Sequence, residues 1–477
     1  MKKTLIVIVP AFCLAAYLLY RHFIPDDAFI HVGYAKDLLA GRGYSFTGNR
    51  TYGSTAPLWP PLIAAVGFFA GNLIMTARVL SLVFAVASII TFYYTARLRF
   101  SEMESLAATF LLSANAYFLR WSLTGMESTA AVFFMVLLIT TLYKENDGTL
   151  PRAWYILIGL APLVRPEFYL FFFLFFLYAL AVRPRRLDPF KVILAALPSL
   201  IWLAFAEAYY GTITPTTFLA KAGEPFFTLQ ASTLYRLLKL YLSGSLVETI
   251  FIVLAAVALA AKDKGRKQLK GTFESESMLL FGFVASFYVF YGLKDVLVIS
   301  RYSLVLTPPI ILVAIELTRK SVRSLGISPR LSQFVLIAMI GASLFYNAAF
   351  TWVIVKPDAD AFYKGFQTTY SRMAGILHDK ANANSQVALS DVGLIGVYSG
   401  CRVDDLNGLV DKDRFRYATS EEFINSEKPE FLITRGEVDL NKLRCSLTQI
   451  YEASLPGFGI NSTHPVEVRM FRASWTN

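Results

Sequence analysis

Polar and apolar positions along this chain fall into long blocks. Apolar runs, most of them about 17–24 residues, recur from the N-terminus to near residue 354, long enough for helices to cross a ~30 Å hydrocarbon layer. The pattern predicts about eleven spans, near 4–22, 76–97, 102–120, 127–143, 153–167, 168–182, 190–209, 245–261, 276–292, 303–318 and 331–354. The short pair 153–167 and 168–182 is divided at "VRPEF", because a charged pair beside a proline is costly in mid-membrane and cheap at a wet turn. Segment 57–72, "PLWPPLIAAVGFFAGN", is short and carries three prolines, so it reads as an interfacial helix. Beyond Lys356 no spanning run remains. A helical stretch at about 359–382 leads to β-type runs "QVALSD", "CRVDDL", "EFLITR" and "VEVRMF", with a further helix around "SEEFINSEK". The expected fold is mainly α: a polytopic helical membrane part, 1–355, with a first external loop at 23–75, then a small soluble α/β domain, 356–477.

Composition supports this division. The 477 residues are 55% hydrophobic and 17% charged, with 40 Phe and 25 Tyr, and the mean hydropathy is +0.50, beyond the range of ordinary soluble proteins. The net charge of +11 does not point to nucleic acid, since the basic residues form short clusters between apolar runs instead of one patch. Those clusters set the topology. With the first helix leaving the cytoplasm, the six inner segments hold 19 Lys and Arg in 47 residues, a density several-fold above that of the outer loops, as the positive-inside rule requires. The N-terminus is therefore expected in the cytoplasm and residues 355–477 outside. Met1-Lys2-Lys3 and the apolar run to Tyr20 resemble a signal peptide, but no small-x-small cleavage site precedes Asp26, so a retained helix is expected. Cys401 and Cys445 both fall in the exported domain, where either a disulfide or two free thiols is open.

With that topology, the unusual polar sequences all face one compartment: "PDDAFIH", "TGMES", "VRPEF", "GTITPTTFLAKAG" and "GLKDVLVISRYS". They present Asp26, Asp27, Glu127, Arg165, Glu167, Lys221, Lys294, Asp295 and Arg301. Single charges at helix ends are commonly just solvated; five loops converging on one face point to a shared site. Carboxylates can take a proton from an attacking hydroxyl, and fixed cations can hold an anionic leaving group, so the mixture suits transfer from a phosphate-bearing donor. Arg forks onto phosphate oxygens where Lys acts as a point charge. "DDAFIHVGYAKDLL" predicts a helix of about fourteen residues, with Asp26 as N-cap and Gly41 at C′, too short to span. Asp27, Ile30, His31, Tyr34 and Leu38 would share one face. Capping and dipole complementation account for one aspartate more easily than for two. A Mg²⁺ or Ca²⁺ on Asp26 and Asp27 is open, since hard cations take carboxylates. The four histidines form no zinc-type cluster with cysteine. "DVGLIGVYSG" lacks the spacing of a nucleotide-binding loop.

These motifs resemble the GT-C group of membrane glycosyltransferases, which use polyprenyl-phosphate sugars, and within it the arabinofuranosyltransferase-like branch. The resemblance rests on "DDAFI", "YAKDLLAGRGYSF" and "YGSTAPLW" in the first loop, followed in order by "TGMES", "VRPEF", "TFLAKAG", "SRYSLVLTP", "VALSDVGLIGVYSG" and "DDLNGL". It implies a lipid-linked donor entering from the bilayer, an acceptor hydroxyl on a glycan, lipid or protein, and an inner-membrane location. It also implies Asp26 as general base, Asp27 as its supporting carboxylate, and inversion at the anomeric carbon. Arg165, Lys221 and Arg301 become candidates for the donor phosphate; His31, Tyr34, Glu127, Glu167 and Tyr302 are further candidate substrate contacts. Thr216 stands where relatives more often have Asn. A transporter or flippase is the rival reading, disfavoured because the charged motifs lie at helix ends, not at the midplane, and no internal repeat is visible. An assembly protein would need one anchoring helix, not eleven.

Overall fold

The computed structural model describes residues 2–144, 150–182, 188–220, 230–261, 263, 265–267, 269, 276–294, 298–382, 384–455 and 465–475. Helices dominate up to Lys380, and their starts follow local chemistry. Asn72 accepts the N–H of Met75 at 3.0 Å, Ser101 and Glu104 form a capping box, and Asp188 caps a helix with Pro189 in its first turn.

Among the described residues, five helical runs are long and apolar enough to cross a membrane: Leu73–Arg97, Pro189–Tyr210, Ala231–Ala260, Ser300–Ser324 and Pro329–Lys380. Six shorter apolar helices accompany them: Thr4–Tyr20, Trp59–Ala70, Ser128–Lys144, Arg152–Val164, Glu167–Tyr178 and Ser277–Leu293. The chain is a multi-pass membrane protein. Among the described residues, five of the about eleven expected spans reach membrane-crossing length, and polar residues and kinks divide some of the expected runs. The run expected at 102–120 is two helices, Glu102–Ala114 and Ala116–Trp121; Asn115 breaks it and caps the second through Phe118 N–H at 3.0 Å. Ala231–Ala260 kinks at Ser245, whose φ/ψ of −150°/30° is non-helical, where a new span was expected to begin.

The last long helix does not stop at 355. It continues through two π-type turns, Thr351–Val355 and Tyr363–Gln367, to Lys380. The division expected at 355/356 therefore falls inside a continuous helical run. Five strands follow: β1 (Gln386–Leu389), β2 (Arg402–Asp405), β3 (Phe431–Thr434), β4 (Cys445–Leu455) and β5 (Val466–Trp475), in the order β2-β1-β3-β5-β4. β1 pairs in parallel with β2 and β3, and β5 runs antiparallel to β3 and β4. The sequence pattern missed β4, an edge strand whose side chains are mostly exposed or half-buried, leaving little apolar signal. Cys401 and Cys445 are free thiols.

The sheet unit packs against the first loop. The first-loop helix is Asp26–Leu39, fourteen residues, ending with Gly41 at φ 73°. Its N-cap is Pro25, not Asp26. Against it lies the helix Val392–Tyr398 from "DVGLIGVYSG". A Cβ on Gly393 would sit 2.1 Å from the Asp26 carbonyl oxygen, and one on Gly396 2.4 Å from Phe46 Cζ. Gly393 lets two backbones touch, and Gly396 leaves room for the Phe46 ring. Lys36 Nζ donates to Val397 O at 2.7 Å, Thr47 Oγ1 accepts from Val403 N at 3.3 Å, and Asn49 Nδ2 donates to Val403 O at 3.1 Å.

Candidate active site

One face of the first-loop helix meets three other polar loops. Asp27 pairs with Arg301. One turn on, His31 Nε2 lies 3.2 Å from Glu127 Oε2. Glu127 Oε1 accepts from Arg165 Nη1 at 3.0 Å, and Arg165 forks onto Glu167, Nε to Oε2 at 3.0 Å and Nη2 to Oε1. Tyr291 donates to the same Glu167 oxygen at 2.7 Å. The Tyr302 ring lies beneath both guanidiniums, 4.3 Å from Arg165 Cζ and 5.0 Å from Arg301 Cζ, close enough for cation–π attraction. Arg165, Glu127 and Arg301 are almost wholly buried. Charges removed from water this way persist only when paired and hydrogen-bonded, and deleting one partner costs about 3–5 kcal/mol.

The electrostatic sum matters for chemistry. Three carboxylates (Asp27, Glu127, Glu167) face two guanidiniums, so the arginines are not spare cations. Arg165 is committed to Glu127 and Glu167. Arg301 keeps one open donor: its buried Nε–H has no partner among the described residues, and neither has His31 Nδ1. Two orphaned polar atoms within a fully organised network mark where a ligand would complete the bonding.

Asp26 faces the other way. Its Oδ2 accepts Gly393 N–H at 2.8 Å and its Oδ1 accepts Leu394 N–H at 2.9 Å, so it caps a helix belonging to the C-terminal sheet unit. Burial first, and then the neighbouring Asp391 and Asp27 charges, push its carboxyl up to about 7, against the pull of the two N–H donors. A carboxylate of that basicity can accept a proton near neutral pH.

Beside the network lies a cavity of about 280 Å³, lined by Thr55, Arg165, Glu167, Thr217, Tyr291 and Tyr302 together with an apolar wall that includes Phe218, Phe287 and Phe290. Charge at one end and aromatic surface at the other suit an amphipathic ligand.

The structure thus gathers Asp27, His31, Glu127, Arg165, Glu167, Arg301 and Tyr302 in one network, with Asp26 alongside. Tyr34 does not join them; its hydroxyl donates to Thr51 O at 2.8 Å and accepts from Gly53 N–H at 3.1 Å, pinning the first loop. Thr216 likewise ties loops together, donating to Leu409 O at 2.7 Å. Lys221, Asp295 and the Lys294 side chain lie outside the described residues. The cation considered for Asp26 and Asp27 does not fit: Asp26 is engaged by two N–H groups and Asp27 by a guanidinium. No group of three or more His, Cys, Asp or Glu able to hold a metal occurs among the described residues.

Comparison with known proteins bears on this arrangement. Residues 54–210 match the family described as dolichyl-phosphate-mannose-protein mannosyltransferase, and 360–471 match a domain of unknown function. The structure resembles ArnT from Cupriavidus metallidurans bound to undecaprenyl phosphate, with a TM-score of 0.66 over 97% of each chain at 10% identity. The chain has the GT-C fold. A second GT-C neighbour is the Archaeoglobus fulgidus oligosaccharyltransferase AglB in complex with an inhibitory peptide and a dolichol-phosphate, with a TM-score of 0.55, 10% identity, and 90% of this chain and 69% of that one covered. A terminal β-(1→2)-arabinofuranosyltransferase of Corynebacterium glutamicum is 31% identical over 231 residues, 43% of this chain and 34% of the relative. The match thus spans about a third of that relative's length.

Within this GT-C scaffold, sequence reasoning missed Tyr291, Thr217 and Asp391. Tyr291 stands at the end of an expected span, where no motif distinguishes it from the other aromatic residues of that run. Thr217 follows Thr216 with no distinguishing pattern. Asp391 sits in a quoted motif, but only the docking of the sheet unit brings it toward the first loop.

Proposed function

We propose that this chain is a membrane glycosyltransferase that moves a sugar from a polyprenyl-phosphate donor to a hydroxyl of a cell-envelope glycan, lipid or protein. The observation that carries the reading is the network of Asp27, Arg301, His31, Glu127 and Arg165 with its two orphaned polar atoms, Arg301 Nε and His31 Nδ1, beside an aromatic-walled cavity. The matched mannosyltransferase family, the arabinofuranosyltransferase relative and the two GT-C neighbours, which bind undecaprenyl phosphate or dolichol-phosphate, support the donor class.

In this reading the cavity's aromatic wall takes the prenyl chain next to the phosphate. Arg301 Nε–H contacts the phosphate oxygens; Lys221, outside the described residues, remains the further cation the sequence offers for them. Asp26 takes the proton of the acceptor hydroxyl as that oxygen attacks the anomeric carbon; the bond from that carbon to the phosphate oxygen breaks, polyprenyl phosphate leaves, and the configuration inverts. Asp27 keeps Arg301 in place. The protein sits in a bacterial inner membrane with its N-terminus in the cytoplasm and the site outside, as the basic inner loops favour.

The test uses purified protein in lipid nanodiscs, a labelled polyprenyl-phosphate pentose or hexose, and a cell-envelope fraction as acceptor. Asp26→Asn lowers transfer by at least about 100-fold, the contribution general-base catalysis makes. Transfer at the parental rate by folded Asp26→Asn would remove Asp26 from the reaction.

A further inference from the structure

Asp391 occupies the N-cap position of the helix Val392–Tyr398, yet makes no cap to it. The N–H groups of Gly393 and Leu394 go to Asp26 instead. An aspartate in that place ordinarily serves its own helix, so the exchange requires something to hold Asp391 away. Two groups do so: Tyr370 Oη donates to Asp391 Oδ2 at 2.9 Å, and Arg435 Nη2 pairs with the same oxygen at 3.0 Å. Each comes from a different element, Tyr370 from the helix Thr368–Lys380 and Arg435 from the turn after β3. Glu437 braces that turn: Oε2 accepts Arg435 N–H at 2.5 Å, and Oε1 accepts Ser390 Oγ–H at 2.8 Å. Asp391 is therefore fixed and most of its side chain is shielded; its charge acts on Asp26, while burial pushes its own carboxyl up against the pull of Arg435 and Tyr370.

We propose that Asp391 is a positioning residue of the catalytic centre: it leaves its own helix N–H groups to Asp26 and stands beside Asp26 as a fixed negative charge, making Asp26 the carboxylate that takes the acceptor's proton. This rests on the reading of Asp26 as base. It makes the sheet unit part of the catalytic machinery instead of an appended binding module. The logic is electrostatic: burial favours the protonated carboxyl, the two N–H donors pull the other way, and the neighbouring Asp391 charge adds to the proton affinity that burial supplies. The charged and titratable groups around Asp26 are Asp27 on its own helix with Arg301 beyond it, Asp391 with Arg435 and Glu437 behind it, and Tyr370.

The experiment compares pH–rate profiles, from pH 5 to 9, of the full-length parent, Asp391→Asn, Asp391→Glu and Asp26→Asn, using the labelled donor and envelope fraction above. Removing the Asp391 charge lets Asp26 lose its proton at lower pH. The acidic limb of kcat/KM for Asp391→Asn moves down by about half a unit to one unit, and Asp391→Glu, which keeps the charge, restores the parental limb. A parental limb in Asp391→Asn, with Asp26→Asn inactive, overturns this proposal and leaves the glycosyltransferase reading standing. Parental activity in Asp26→Asn overturns both the assignment of the base and the positioning role. If Asp391→Asn is not recovered folded, Arg435→Gln carries the test with the opposite sign: an uncompensated Asp391 moves the limb up, and an unmoved limb overturns the proposal.

Discussion

Two glycine-to-alanine substitutions separate close docking from helix propensity. In Gly393→Ala the new Cβ would lie 2.1 Å from the Asp26 carbonyl oxygen and 2.9 Å from Asp26 Cγ. The first neighbour is backbone and cannot rotate aside, so the helix Val392–Tyr398 must retreat by about 1 Å to reach ordinary contact. That stretches the two N–H···Asp26 bonds, now 2.8 and 2.9 Å, past useful length. A hydrogen bond to a charged group contributes about 1.5–3 kcal/mol; Asp26 is only half-buried by exposure, so water recovers part, and the loss is on the order of 2–4 kcal/mol. Alanine's better helix propensity returns about 0.5–1 kcal/mol, leaving a net cost near 1–3 kcal/mol. Gly375→Ala is the control: it lies in the helix Thr368–Lys380 and its Cβ meets nothing within 4 Å, so only the propensity gain applies. Thermal unfolding of both variants in one detergent, followed by protease sensitivity of the sheet unit, reads the difference. Gly393→Ala melting level with Gly375→Ala would refute the argument that Gly393 serves backbone contact.

Two further outcomes concern the sheet unit. Asp404 is fully buried and neither oxygen has a hydrogen-bond partner among the described residues; burial pushes its carboxyl up to about 7. The folded state then binds more protons than the unfolded one between the ordinary carboxylate range and about pH 7, so stability falls as pH rises through that window. Asp404→Asn removes the buried charge and stabilises the protein at pH 8 by on the order of 1–3 kcal/mol, a gain that shrinks toward pH 5; an equal shift at both pH values in chemical denaturation would count against it. Cys401 and Cys445 are free thiols, so alkylation of the unfolded, unreduced protein labels both, and a reductant leaves the melting temperature unchanged.

Hydropathy alone determined where apolar helices lie, because crossing lipid demands uninterrupted apolar length and leaves a signal too strong to miss. Local chemistry fixed the fourteen-residue helix after Pro25 and its Gly41 terminus. The order of polar loops identified most of what meets in the network, since loops on one side of a bundle have few places to go. Tertiary structure decided the partners. Asp26 and Asp27 are adjacent in sequence, yet a helix turns neighbouring side chains about 100° apart, so one binds Arg301 and the other a helix more than 360 residues away. The arginines, in sequence a store of positive charge for phosphate, are in space largely spent on Glu127, Glu167 and Asp27. No one-dimensional pattern holds that information, because pairing depends on which charges share a desolvated volume, and only packing sets that volume.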